Sequence, residues 1–188
     1  DVILLDTPGH VDFSAEMERT LSVLDYAVLV ISGKDGIQGH TATLWKLLKR
    51  NKIPAFIFVN KMDLDGTDRE IILSDLKIRL DAGCFDFTGS LQASAHEEMA
   101  MCDETLLEEF LQNGALSREA LAKAIKARHI FPCYFGSALK LEGIDEFLQG
   151  LETLTTSYGE PDDDAGLTGP DAVLRTRIFR ITRDKQGE

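Results

Sequence analysis

The sequence predicts an α/β fold, a doubly wound and mostly parallel sheet carrying a helical insertion. Three observations predict it. Short continuous apolar runs recur along the chain, each about one strand long. Segments with apolar residues at helical spacing separate them, and polar clusters follow directly on several of the runs. A parallel sheet covered by helices demands the first two patterns, because its strands are buried on both faces. The third matches the rule that open α/β sheets bind ligands beyond the carboxyl ends of their strands.

The elements follow in order. Residues 2–5 are the first strand candidate, and Phe13, Met17, Leu21 and Leu24 then recur at helical spacing. Residues 27–31 form a second buried-strand candidate, closed by the turn Ser32-Gly33-Lys34-Asp35-Gly36. Leu44, Leu47 and Leu48 mark the next helix, on which Trp45 reads as core. Pro54 leads into a strand at 55–59. Thr67-Asp68-Arg69-Glu70 has capping-box form and opens a helix towards Leu80. Residues 130–135 are the next strand, and Ile144, Phe147, Leu148 and Leu151 share one face of a last helix.

The stretch between Asp63 and Ser137 is about twice what one helix and one strand need, since a whole βαβ unit takes about 30 residues. The excess is read as a helical insertion at about 81–128. It holds helix candidates at 104–112 and 118–128, with Asp103 and Ser117 as N-caps. Residues 81–101 show no clean period. The domain organisation expected is therefore a sheet domain over 1–159, an acidic linker over 160–171, and the first strand of a further domain within 172–188. The chain opens inside an apolar run and stops soon after another, so a segment of a longer protein is expected.

Composition narrows the function classes. The 188 residues carry 32 Asp and Glu against 20 Lys and Arg, a net charge of −12. That balance argues against this segment wrapping nucleic acid, DNA included, because phosphate neutralisation needs clustered cations. No apolar run approaches the roughly 20 residues of a membrane span, and no basic segment precedes an apolar one as in a signal peptide. The three cysteines are odd in number and in no CxxC pair, which points to a reducing, cytoplasmic setting. His40, His96 and His129 share no metal-ligand spacing and read as surface or packing residues.

Three clusters carry chemistry: Asp6-Thr7-Pro8-Gly9-His10, Asn60-Lys61-Met62-Asp63 and Gly136-Ser137-Ala138-Leu139-Lys140. Each follows a strand candidate. The Asp63 carboxylate can accept two parallel hydrogen bonds from the N1–H and N2–H₂ edge of guanine. Adenine presents no such edge, and a site built on hydrogen bonds rejects a mismatch strongly. Asn60 has the amide to tether the loop and reach the other side of the purine, and the stem of Lys61 can cover its face. The backbone N–H groups of Ser137 and Ala138 can donate to guanine O6, with Leu139 packed beside the ring. At the phosphate end, Asp6 can hold Mg²⁺ through water. Gly9 lets the backbone approach a γ-phosphate and donate its N–H. Loss of that contact on hydrolysis would release the following segment. His10 is placed to orient the attacking water as the catalytic residue.

DTPGH, NKMD and GSAL resemble the third, fourth and fifth guanine-nucleotide motifs of translational GTPases. The stretch from Asp12-Phe13 through Ile31 is similar to the second switch of elongation factor G, and residues 60–66 also resemble the tetracycline-resistance ribosomal protection proteins. The resemblance implies an incomplete P-loop-GTPase-like domain of a ribosome-dependent GTPase, using GTP and GDP with Mg²⁺. Residues 173–182 resemble the opening strand of the β-barrel domain that follows in both. For Arg175, Arg177 and Arg180 a solvated strand face is the first reading and rRNA contact the second. GxxxxGK[ST] occurs nowhere in the chain and is expected upstream, with the first-switch Thr. The chain alone is therefore expected to hydrolyse GTP negligibly, and its unpaired strand edges to favour self-association. Two other readings stand beside this one: a truncated, non-hydrolysing interaction module, and a GTPase of ribosome assembly.

Overall fold

In the computed structural model, residues 3–6, 21, 23–89, 91 and 93–156 are described. The chain divides into two compact units, one of residues 1–25 with 157–188 and one of residues 26–156. The second unit contains a four-stranded sheet of β1 (Ala27–Ser32), β2 (Ala55–Asn60), β3 (Cys84–Asp86) and β4 (Phe131–Phe135). Its spatial order is β1-β2-β4-β3 and every pairing is parallel. Among the described residues of this unit, six helices accompany the strands: α1 (Gly39–Arg50), α2 (Arg69–Arg79), α3 (Ala93–Ala100), α4 (Glu104–Asn113), α5 (Arg118–Lys126) and α6 (Ile144–Leu154). The predicted fold class holds.

The strand register explains the two cores. Residues in register point to the same face of a sheet. Ile57 and Cys133 lie in register, and with Phe131, two residues earlier on β4, they share the face that α1 covers. There Trp45 meets Phe131 edge-on at 4.8 Å and its Nε1 donates to the Leu80 carbonyl at 3.0 Å. Phe58 and Tyr134 are in register on the opposite face. They join Phe56, Phe85, Met99, Leu106, Leu121, Ile125 and Leu154 in one continuous buried cluster.

Several expectations are corrected. Residues 2–5 do not give a strand over their described part: residues 3–6 carry no regular structure, and Ile3 and Leu4 are 87% and 85% exposed. An apolar run becomes a strand only where a neighbour completes its ladder. The insertion at 81–128 is not purely helical. It contains β3, the outer strand of the same sheet, and α3–α5 pack into the sheet's own core. β3 has three residues, too short to show a period, and α3 buries only Met99 and Ala100. On β1 the burial alternates, with Val28 and Val30 exposed. Leu148 is likewise exposed on α6 while Phe147 packs on Phe58 and Tyr134. Asp103 and Ser117 are the N-caps of α4 and α5, as predicted. The helix at 13–24, the linker at 160–171 and the strand at 173–182 lie outside the described residues or nearly so.

Candidate functional site

β2 and β4 are neighbours, so their carboxyl ends open side by side. β2 ends at Asn60 and β4 is followed at once by Gly136. The ladder continues beyond both strands: Gly136 N donates to Val59 O at 3.0 Å, and Met62 N donates to Gly136 O at 3.0 Å. On the other side Gly33 N donates to Asn60 O at 2.7 Å. A Cβ at Gly33 would lie 2.7 Å from Met62 Sδ, so a larger residue would have to push the Met62 side chain aside for the β1 turn to close against this loop. At Lys61 the backbone swings into the left-handed region, with φ of 65°, an uncommon state for a residue with a side chain.

These constraints bring the second and third clusters together from distant parts of the sequence. The Asn60 Oδ1 atom accepts from Lys61 N at 2.7 Å and from Ala138 N at 2.9 Å. The Asn60 side chain thus joins the two loops. The Ser137 hydroxyl stands beside the Asp63 carboxylate and lowers its pKa, and Lys140 Nζ lies 3.6 Å from Asp63 Oδ2. The Asp63 side chain is 12% exposed and Ser137 is 1% exposed. The Ser137 hydroxyl, the nearby backbone and Lys140 together hold the Asp63 carboxyl below its usual range, against the opposing effect of burial. An acceptor-only carboxylate beyond the β2 end, with Leu139 nearby in the 137–142 turn 90% exposed, is suited to a planar ligand with two adjacent N–H donors.

The two amides expected to donate to O6 already have partners here. Ser137 N is engaged with Glu142 O at 3.0 Å, in the short bridge that closes the 137–142 turn. Ala138 N is held by Asn60. An acceptor arriving here must take Ala138 N from Asn60 Oδ1, or use the next amide, that of Leu139. Lys140 belongs to its cluster in the sequence but is given no role there, and Thr67 reads as a helix cap; both touch the Asp63 loop.

Of the phosphate-end residues, one lies among those described. Asp6 is described and exposed, in the first compact unit; Gly9 and His10 lie outside the described residues. Among the described residues, no three His, Cys, Asp or Glu side chains gather into a metal-binding group. His96 and His129 have packing partners: His96 Nδ1 accepts from Leu116 N at 3.2 Å, and His129 Nδ1 lies 2.9 Å from Asp103 Oδ2.

Residues 1–157 match the family described as the elongation factor Tu GTP binding domain. The chain belongs to that family. Among curated proteins, this GTP-binding domain is 34% identical over 212 residues to the oxytetracycline resistance protein of Streptomyces rimosus, covering all of this chain and 31% of that protein. It is 35% identical to the tetracycline resistance protein TetW of Butyrivibrio fibrisolvens, over 85% of this chain and 27% of the relative. The tetracycline resistance protein TetM of Ureaplasma urealyticum is 34% identical over 84% of this chain and 26% of its own length. The chain thus spans less than a third of these relatives. A crystal structure of a Thermus thermophilus protein shares the fold, with a TM-score of 0.71 at 21% identity, covering 82% of this chain and 30% of that one. No helix among the described residues is long and apolar enough to cross a membrane.

Proposed function

We propose that this chain is the guanine-nucleotide-reading part of a cytoplasmic, ribosome-associated translational GTPase. Its curated relatives carry tetracycline-resistance names at 34–35% identity, which favours the ribosomal protection type over an elongation factor. The observation that carries the reading is the convergence of Asn60 and Asp63 on the 137–140 turn. Asp63 accepts from the two N–H groups of guanine. Asn60 holds the turn against the β2 end, the Lys61 stem and Leu139 flank the base, and a turn amide donates to O6. Gly9 contacts the γ-phosphate and His10 aligns the attacking water. The exposed Asp6 carboxylate has the hard oxygen donor that Mg²⁺ prefers and would hold it through water, the ion supplying charge neutralisation at the phosphates.

The test uses the full-length protein. Asp63→Asn removes the paired acceptor and presents a donor in its place, so GDP affinity should fall by about a hundredfold or more while XDP affinity rises. Fluorescent-nucleotide titration measures both. Unchanged GDP preference in this variant would refute the assignment of Asp63.

A further inference from the structure

We infer that Thr67 is a positioning residue for guanine recognition, fixing the carbonyls of Met62 and Leu64, the residues on either side of Asp63; this rests on the assignment of Asp63 above. The sequence pattern makes Thr67 a helix cap, but α2 starts at Arg69 and its cap is Asp68, which accepts from Ile71 N at 3.0 Å. The displaced Thr67 hydroxyl turns back into the loop instead. Thr67 Oγ1 lies 2.9 Å from Met62 O and 2.9 Å from Leu64 O, the carbonyls of the two residues that bracket Asp63. A hydroxyl has one proton to donate, so the contact is shared between them. The backbone reinforces it, with Leu64 N on Lys61 O and Thr67 N on Leu64 O, each at 3.3 Å.

The anchor behind Thr67 is well tied. Two residues on, Arg69 bonds through Nε to the Asp86 carboxylate and through Nη2 to Thr88 O at 3.1 Å, and its guanidinium lies 5.2 Å from the centre of the Phe135 ring. Thr88 Oγ1 in turn accepts from Phe135 N at 3.0 Å. The start of α2 is therefore fastened to the ends of β3 and β4, and Thr67 passes that placement to the loop. Without its hydroxyl, Asp63 would be held from the Asn60 side, by Ser137 and by the exposed tip of Lys140, and its carboxylate would lose its aim at a base edge.

Aim matters more for a ligand making two bonds to Asp63 than for one making a single bond. GDP offers N1–H and N2–H₂; IDP lacks the N2 group. In the full-length protein, Thr67→Val should weaken GDP binding by about threefold to tenfold, the range of one ordinary hydrogen bond, with a smaller loss for IDP. The GDP/IDP preference should therefore narrow. Thr67→Ser, which keeps the hydroxyl, should stay within about twofold of the parent for both nucleotides. The ratio does not depend on the fraction of protein correctly folded. Equal losses for GDP and IDP, equal losses for the Val and Ser variants, or no loss with Val would each overturn the inference. Asp63→Asn serves as the separate control: if it leaves GDP over XDP preference intact, the base-reading assignment itself fails, and the role of Thr67 with it.

Discussion

At the scale of single residues, Asp63 ties acid–base chemistry to selectivity. Its carboxyl is held below the ordinary value of 3.8, first by the Ser137 hydroxyl and then by backbone and Lys140 contacts. A folded pKa lower than the unfolded one gives stability that is fully present above the unfolded value and is lost as pH falls through the folded one. The affected window therefore lies below about pH 4, and guanine binding should be flat from neutral pH to about pH 5 as far as this group is concerned. Removing the largest cause, by Ser137→Ala, should raise the Asp63 pKa towards its ordinary value and move the window up with it. A carboxyl NMR titration reads this directly; an identical value in both proteins would show that the hydroxyl does not set it. Asn60 and Asp63 were legible in the sequence because their chemistry is tied to a four-residue motif. Thr67 was not, since a T-x-x-E pattern and an Asp one residue later satisfy the same cap rule, and only the built helix shows which one the chain uses.

At the scale of elements, close packing decides what the periodicity leaves open. Gly150 sits in the middle of α6 and is buried against Tyr134, where a Cβ would overlap the phenol oxygen. Burial, with Glu146 nearby, pushes the Tyr134 hydroxyl up to about 12, so it stays neutral there. Gly150→Ala gains helix propensity but must displace the ring, and overpacking of this kind costs about 1–3 kcal/mol. The net expectation is a lower midpoint in urea with an unchanged slope; a variant as stable as the parent would mean α6 shifts freely. The same logic separates visible from hidden strands. β2 is apolar up to its last residue, Asn60, and β4 is apolar throughout; with all or nearly all residues buried, both read plainly as strands. β3 did not, because Cys84–Asp86 is defined by its partner Phe131–Cys133 rather than by any pattern of its own.

At the scale of the whole molecule, the sheet formed by the described strands ends at β1 on one side. Among the described strands, β1 is paired only with β2, and Val28 and Val30 are 40% and 61% exposed. A free edge beside an apolar face is a template for pairing with another chain. The 188-residue chain alone should therefore self-associate at micromolar concentration, and Val30→Lys, a charge on that face, should shift it towards monomer. Sedimentation velocity distinguishes the two; a parent chain that is already monomeric would refute the expectation.

Composition, apolar runs and three short motifs were enough to assign the α/β class, most strand and helix positions, two N-caps, and the residues proposed to read a guanine base. Those features are local: a strand's burial, a cap and a motif's chemistry are carried by residues close together in the chain. The pairing of β3, the exposure of Ile3, Leu4 and Val30, the occupation of the Ser137 and Ala138 amides, and the turn of Thr67 towards Asp63 were decided in three dimensions. Each depends on which group, distant in sequence, arrives to complete a hydrogen bond or cover a face, and a one-dimensional pattern does not hold that information.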